Sequence, residues 1–266
     1  MSGVADVLAK ARAENRAALI GYLPVGYPDV DASIQAMLAM VDGGVDIVEV
    51  GVPYSDPGMD GPVIQRAVDP AVRAGTNMTD ALRAVQSVAE VAPAVVMTYW
   101  NLVERYGVER FAADLATAGG SGAITPDLIP DEAGEWIGAA RGQDLDTVFL
   151  VAPSSTPARL AATVDQCRGF VYAASTMGVT GVRGEVSDAA ERLVARVRAA
   201  DEDLAVCVGL GVSNRDQAAE VAAFADGVIV GSAFVRCLLD AEDAAAGARA
   251  VNALATELAE GVRVRS

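Results

Sequence analysis

The sequence predicts an α/β fold, a single-domain (β/α)8 TIM barrel spanning residues 1–266 with an extra N-terminal helix closing its lower end. Three observations carry this. The chain has 266 residues, 52% of them apolar, which suits one barrel with a large core. Eight short β-branched runs alternate with longer helical patterns, the order of a parallel sheet with helical crossovers. The last run leads directly into a short helix, GSAFVRCLL, which favours closure over the alternative of an open doubly wound sheet.

In chain order, MSGVADVLAKARAENR reads as an amphipathic helix without the apolar centre of a signal peptide. The strands follow as ALIGYLPV (18–25), VDIVEVGV (45–52), AVVMTYW (94–100), SGAIT (121–125), TVFLVA (147–152), FVYAAS (170–175), LAVCVGLGV (204–212) and GVIVGSA (227–233). Between them lie helical stretches such as DASIQAMLAMVDGG, with Asp31 at its start and glycine at its stop, and SDAAERLVARVRAADE, with Ser187 as its cap. The alanine-rich tail from Asp240 onward reads as the final outer helix.

Composition narrows the chemistry. No apolar run approaches the roughly 18 residues of a membrane span, so a cytoplasmic protein is expected. A net charge of −16 repels phosphate backbones and argues against nucleic acid. Cys167, Cys207 and Cys237 are an odd number at scattered spacings and read as buried free thiols. There is no histidine, and Lys10, in the leading helix, is the only lysine. Imidazole bases, His-based zinc sites, Schiff-base lysines and pyridoxal-phosphate chemistry therefore have no residue to use. Carboxylates, Tyr, Ser, Thr and backbone amides must do the work.

The richest stretch is VEVGVPYSDPGMDGPVIQ (48–65). In a barrel both faces of a strand are covered, so Glu49, inside an apolar strand, has no inexpensive place as a solvated charge, and desolvation raises its pKa. Asp56 and Asp60 follow in a Pro- and Gly-rich loop. Either alone is ordinary turn chemistry, but beyond the Glu49 strand an ionised loop carboxylate and a neutral buried one make an acid/base couple. A second constellation is glycine-rich: GVTG (178–181), GLGVS (209–213) and GSA (231–233) follow the sixth, seventh and eighth strands. Backbone amides there, a helix N-terminus and the Ser232 hydroxyl suit a phosphate without any Lys or Arg. The segment 176–185 reads as a lid. Tyr22, Tyr99, Trp100 and Tyr172, at the ends of the first, third and sixth strands, suggest a flat, partly apolar substrate.

VEVGVPYSDPGMDGPVIQ, PDLIPDEAGEW (126–136), MGVTG and VGLGVSN resemble the tryptophan synthase α subunits, in the same order through nearly the whole chain. The resemblance implies cleavage of indole-3-glycerol phosphate to indole and glyceraldehyde 3-phosphate, as part of L-tryptophan biosynthesis and with no cofactor or metal. It implies Glu49 as general acid/base, Asp60 as the partner of the indole N–H, and Thr180 as a lid residue closing onto Asp60. Gly181, Gly211, Gly231 and Ser232 match phosphate-binding positions, and Tyr22, Tyr99 and Tyr172 match substrate-pocket positions. Pro53 and Asp56 fall in the loop that the family presents to its β subunit in an α2β2 heterotetramer. Met59, Tyr22 and Met177 depart from the family's usual small residue, Phe and small polar residue. Indole-3-glycerol-phosphate synthase needs lysines this chain lacks, and histidine-pathway isomerase barrels give no reason for Glu49. A free-standing lyase and a catalytically silent regulatory subunit are the remaining alternatives.

Overall fold

The computed structural model describes residues 3–174, 183–209 and 211–263. After the leading helix α1 (Val4–Ala13), the chain lays down parallel strands β1 (Ala18–Pro24), β2 (Ile47–Gly51), β3 (Ala94–Met97), β4 (Gly122–Ile124), β5 (Asp146–Val148), β6 (Leu150–Val151), β7 (Phe170–Ala174), β8 (Ala205–Gly209) and β9 (Gly227–Val230). Their spatial order is β5-β4-β3-β2-β1-β9-β8-β7-β6. The two ends of that order are one stretch of chain interrupted at Phe149, so the predicted fifth strand is split, and the parallel sheet wraps round into a barrel through it. Across the split the backbone N–H of Tyr172 still donates to the Phe149 carbonyl at 3.1 Å.

The helices are α2 (Val30–Asp42), α3 (Pro62–Arg73), α4 (Met78–Ala89), α5 (Trp100–Tyr106), α6 (Val108–Thr117), α7 (Gly134–Gly142), α8 (Pro157–Gln166), α9 (Arg183–Arg198), α10 (Arg215–Ala222), α11 (Ser232–Leu239) and α12 (Ala244–Val262). Their starts are written in side-chain oxygens that accept first-turn amides: Asp29 for α2, Asn77 with Asp80 for α4, Thr156 for α8, Asn214 for α10 and Asp243 for α12. The α2 cap is therefore Asp29, two residues before the expected Asp31, because Asp29 is the residue left in extended conformation. Ser187 lies inside α9 rather than at its cap, since that helix starts at Arg183. Three strands also stop three residues short of what their composition suggests, at Met97, Gly209 and Val230. Tyr99 caps α5 and Trp100 opens it, and Gly231 to Ala233 belong to the start of α11, because the strand contacts stop at Met97 and Val230.

Two apolar layers hold the fold. Inside the barrel, alternate strand residues Ala18, Ile20, Ile47, Val95, Ile124, Val148, Phe170, Cys207 and Ile229 pack on Val4, Leu8 and Ala11 of α1, which plugs the lower end as the sequence led us to expect. The outward-facing residues pack under the helix ring, with Phe149, Trp136, Phe111 and Phe234 fully buried. At the lower end, Arg16 grips Asp46 through two hydrogen bonds of 2.8 and 3.0 Å, and Asp226 draws in Arg12 and Arg198. Cys167, Cys207 and Cys237 are free thiols; the first two are buried and the third half-buried. Among the described residues no helix is long and apolar enough to cross a membrane.

Candidate active site

Strand side chains repeat every two residues, so the residue two steps beyond each member of the inner core faces the barrel axis one layer higher. Applied here, that step leads from Ile20 to Tyr22, from Ile47 to Glu49, from Val95 to Met97, from Val148 to Leu150, from Phe170 to Tyr172, from Cys207 to Gly209 and from Ile229 to Gly231. All seven line one cavity of about 240 Å³ at the C-terminal mouth of the strands. Met59, Asp60, Gly61 and Ile64 close one side of it, and Pro126, Ala174, Gly211 and Ser232 contribute to its wall.

Glu49 is directly opposite Tyr22 on β1 and Val95 on β3, and only 2% of it is exposed. Among the described residues its Oε1 has no hydrogen-bond partner. Burial alone pushes its carboxyl up to about 8, so it holds its proton at neutral pH. Asp60 lies at the end of the loop after β2. Its carbonyl accepts from Gln65 Nε2 at 2.8 Å, and Pro62 starts α3 immediately behind it. Burial raises the Asp60 carboxyl to about 6 while the Tyr99 hydroxyl draws it back, which leaves it mostly ionised at pH 7. The two carboxyl groups of one cavity thus fall on opposite sides of neutrality.

Tyr99 does not line the cavity. Its hydroxyl accepts the backbone N–H of Met59 at 3.0 Å, and its ring lies 5.1 Å from that of Tyr54, so it anchors the loop that carries Asp60. Trp100 is likewise outside, its backbone N–H held by the Asp127 carboxylate at 3.0 Å. At the opposite wall, Gly211 is in the left-handed region at φ 65°, open to its surroundings, and Gly231 and Ser232 begin α11. The amides of a helix's first turn have no partner within the helix, and this helix starts at the cavity wall. Among the described residues that line the cavity there is no lysine or arginine. Thr180, Gly181 and Met177 lie outside the described residues. Pro53 is buried and Asp56 exposed, its carboxylate taking a 2.6 Å hydrogen bond from Ser55, and neither lines the cavity. Met59 lines it while remaining 38% exposed. In the apolar wall, Ile64 and Pro126 fall within the stretches 48–65 and 126–136 singled out in the sequence, whereas Met97, Leu150 and Ile229 carry no motif and are found through the inner core and its two-residue step. Among the described residues no group of three or more acidic or cysteine side chains is placed to hold a metal ion.

The model of the family described as "Tryptophan synthase alpha chain" matches residues 8–263. The chain belongs to that family. Its relatives include the tryptophan synthase alpha chain of Mycobacterium marinum, 62% identical over 96% of this chain and 93% of the relative. That of Mycolicibacterium paratuberculosis is 59% identical over all of this chain and 96% of its own length. Among solved structures, Mycobacterium tuberculosis tryptophan synthase superposes with a TM-score of 0.91 at 59% identity, covering 98% of both chains. The Legionella pneumophila alpha subunit superposes at 0.88 with only 28% identity, over 98% of this chain and 99% of its own. The activity is that of a carbon–carbon lyase acting on indole-3-glycerol phosphate.

Proposed function

We propose that the cavity at the strand C-termini is where indole-3-glycerol phosphate is cleaved, and that Glu49 and Asp60 divide the proton chemistry. Protonated Glu49 gives its proton to the indole ring carbon that carries the side chain. Now a carboxylate, it takes the proton of the hydroxyl on the adjacent side-chain carbon. The bond between the two carbons breaks, its electrons return to the ring, and indole and glyceraldehyde 3-phosphate result. Ionised Asp60 faces the indole N–H and stabilises the positive charge that appears on the ring in between. The pair of carboxyl groups at about 8 and about 6 in one buried cavity is the observation that supports this division. Tyr22 and Tyr172 supply flat apolar walls, and Gly211, Gly231 and Ser232, with Gly181, take the phosphate. Thr180 closes over Asp60. Tyr99 acts through the loop it anchors rather than by touching substrate.

The partner in this reading is a tryptophan synthase β subunit in an α2β2 heterotetramer, met through the loop of Pro53 and Asp56. The M. tuberculosis structures similar to this chain are described as tryptophan synthase, which supports that assignment. Exposed Asp56 supplies the contact, while buried Pro53 shapes the loop behind it. Because the same loop ends in Asp60, docking there bears directly on the catalytic carboxylate. The test is indole release from indole-3-glycerol phosphate by the chain alone and with a β subunit, for the wild type and Glu49→Gln. Weak activity alone, stimulation by the partner and near-complete loss in the variant are expected. Retention of most activity by Glu49→Gln would remove the acid/base assignment, and full activity without a partner would make the chain a free-standing lyase.

A further inference from the structure

Tyr22 reaches the cavity from β1 by leaning across the neighbouring strand, and the residue beneath it is Gly51. A Cβ at Gly51 would stand 2.6 Å from both Cε2 and the hydroxyl oxygen of Tyr22, and 2.7 Å from Cζ. Non-bonded carbons are comfortable only near 3.5–4.0 Å, so no side chain fits at this position while the ring is where it is. On the other side of the ring, a Cβ at Gly231 would approach Cδ1 to 3.3 Å. The backbone of Gly51 is not left-handed, so space rather than conformation demands glycine. Gly51 lies two residues beyond Glu49 on the same strand face, and Tyr22 pairs with Glu49 across the sheet. The phenol therefore fills the layer just above Glu49. Burial raises its hydroxyl well above the usual value, with the charges of Asp60 and Glu49 among the groups adding to it.

We infer that Gly51 is a positioning residue of this lyase: by lacking a side chain it seats the Tyr22 ring as the wall between the Glu49 strand and Gly231, and so sets the width of the slot for a planar aromatic ring. The inference rests on the reading of this cavity as the lyase site. A methyl group at position 51 has one consequence available to it. The phenol is pushed off its seat on β2 toward Gly231 and the cavity, and the slot narrows where the ring of the substrate must lie flat.

The test is a double-mutant cycle of Gly51→Ala, Tyr22→Leu and the pair, assayed with a β subunit for kcat and KM. Indole affinity is measured by calorimetry on the same four proteins, and thermal melting confirms that each is folded. Gly51→Ala is expected to raise KM and weaken indole binding about tenfold, and Tyr22→Leu in that background to recover most of the loss, a non-additivity of about tenfold. A merely structural role would lower the melting temperature and leave the kinetic effects additive. If Gly51→Ala alone does not fold, the comparison of the double variant with Tyr22→Leu decides, because the alanine must then be silent. Unchanged KM and indole affinity in Gly51→Ala, additive effects, or an alanine that still does harm when added to Tyr22→Leu would overturn the inference. Wild-type failure to release indole would instead count against the lyase reading, and the indole-binding cycle would still decide the role of Gly51.

Discussion

Replacing Glu49 with Gln is expected to make the protein more stable while removing its activity, and the gain has a pH dependence fixed by burial. In the unfolded chain a glutamate titrates near its ordinary 4.5, whereas in the fold burial pushes Glu49 to about 8. The folded state thus holds a proton that the unfolded state releases between those two values, so through this group stability falls as pH rises from 4.5 to 8. The interval corresponds to roughly 5 kcal/mol once the carboxyl is forced to ionise, and to roughly 3 kcal/mol at pH 7, where the folded group is still mostly protonated. Gln has nearly the same shape and no proton to lose. For a chain of this size, roughly 3 kcal/mol moves the melting temperature by about 6–9 °C. Thermal melts of wild type and Glu49→Gln from about pH 4 to about pH 9 should therefore coincide at the acid end and diverge to a plateau above about pH 8. A difference that stays constant with pH, or shrinks as pH rises, would mean that a compensating charge accompanies the buried Glu49. Such a gain in stability on loss of function is what a strained active-site carboxyl implies.

Two further outcomes follow from the opposite wall and from the loop. Gly211→Asp should raise KM by about tenfold or more through charge repulsion of the phosphate. Gly211→Asn, which tolerates the same positive φ without the charge, should raise it far less; equal effects of the two would assign the loss to backbone strain instead. Tyr99→Phe removes both the acceptor for the Met59 amide and the hydroxyl that draws Asp60 down, so the acid limb of kcat/KM should move to higher pH with folding retained. An unmoved limb would mean that the hydroxyl only anchors the loop.

Much of this is legible in the residues because barrel strands leave few options. A carboxylate inside IVEVG has no solvent face, so Glu49 reads as buried and proton-bearing from the sequence, and in the fold it is buried. Glycines after late strands read as anion-binding because their spacing to helix starts is local, and Gly211, Gly231 and Ser232 line the same cavity as Glu49. What the chain conceals is tertiary. Tyr99 looks in sequence like another pocket aromatic, but its hydroxyl binds the amide of Met59, forty residues earlier, and it is not among the residues that line the cavity. The split at Phe149 arises where the strand must serve both neighbours at the closure of the barrel, and β-branched composition carries no trace of it. The α2 cap is ambiguous in sequence because Asp29 and Asp31 are equivalent in type and only the backbone conformation distinguishes them. The contact between Gly51 and Tyr22 joins two strands, and no local pattern announces it.

One cavity holds two carboxyl groups whose proton affinities fall on either side of neutrality. The pH dependence of kcat/KM for indole release, measured with a β subunit present, tests it most directly, because that ratio reports the groups of the free enzyme. The expected profile is a bell that rises near pH 6 as Asp60 ionises and falls near pH 8 as Glu49 loses its proton, with Asp60→Asn abolishing the rising limb in whatever activity remains. A profile that climbs steadily beyond about pH 9, or that keeps its acid limb in Asp60→Asn, would contradict it.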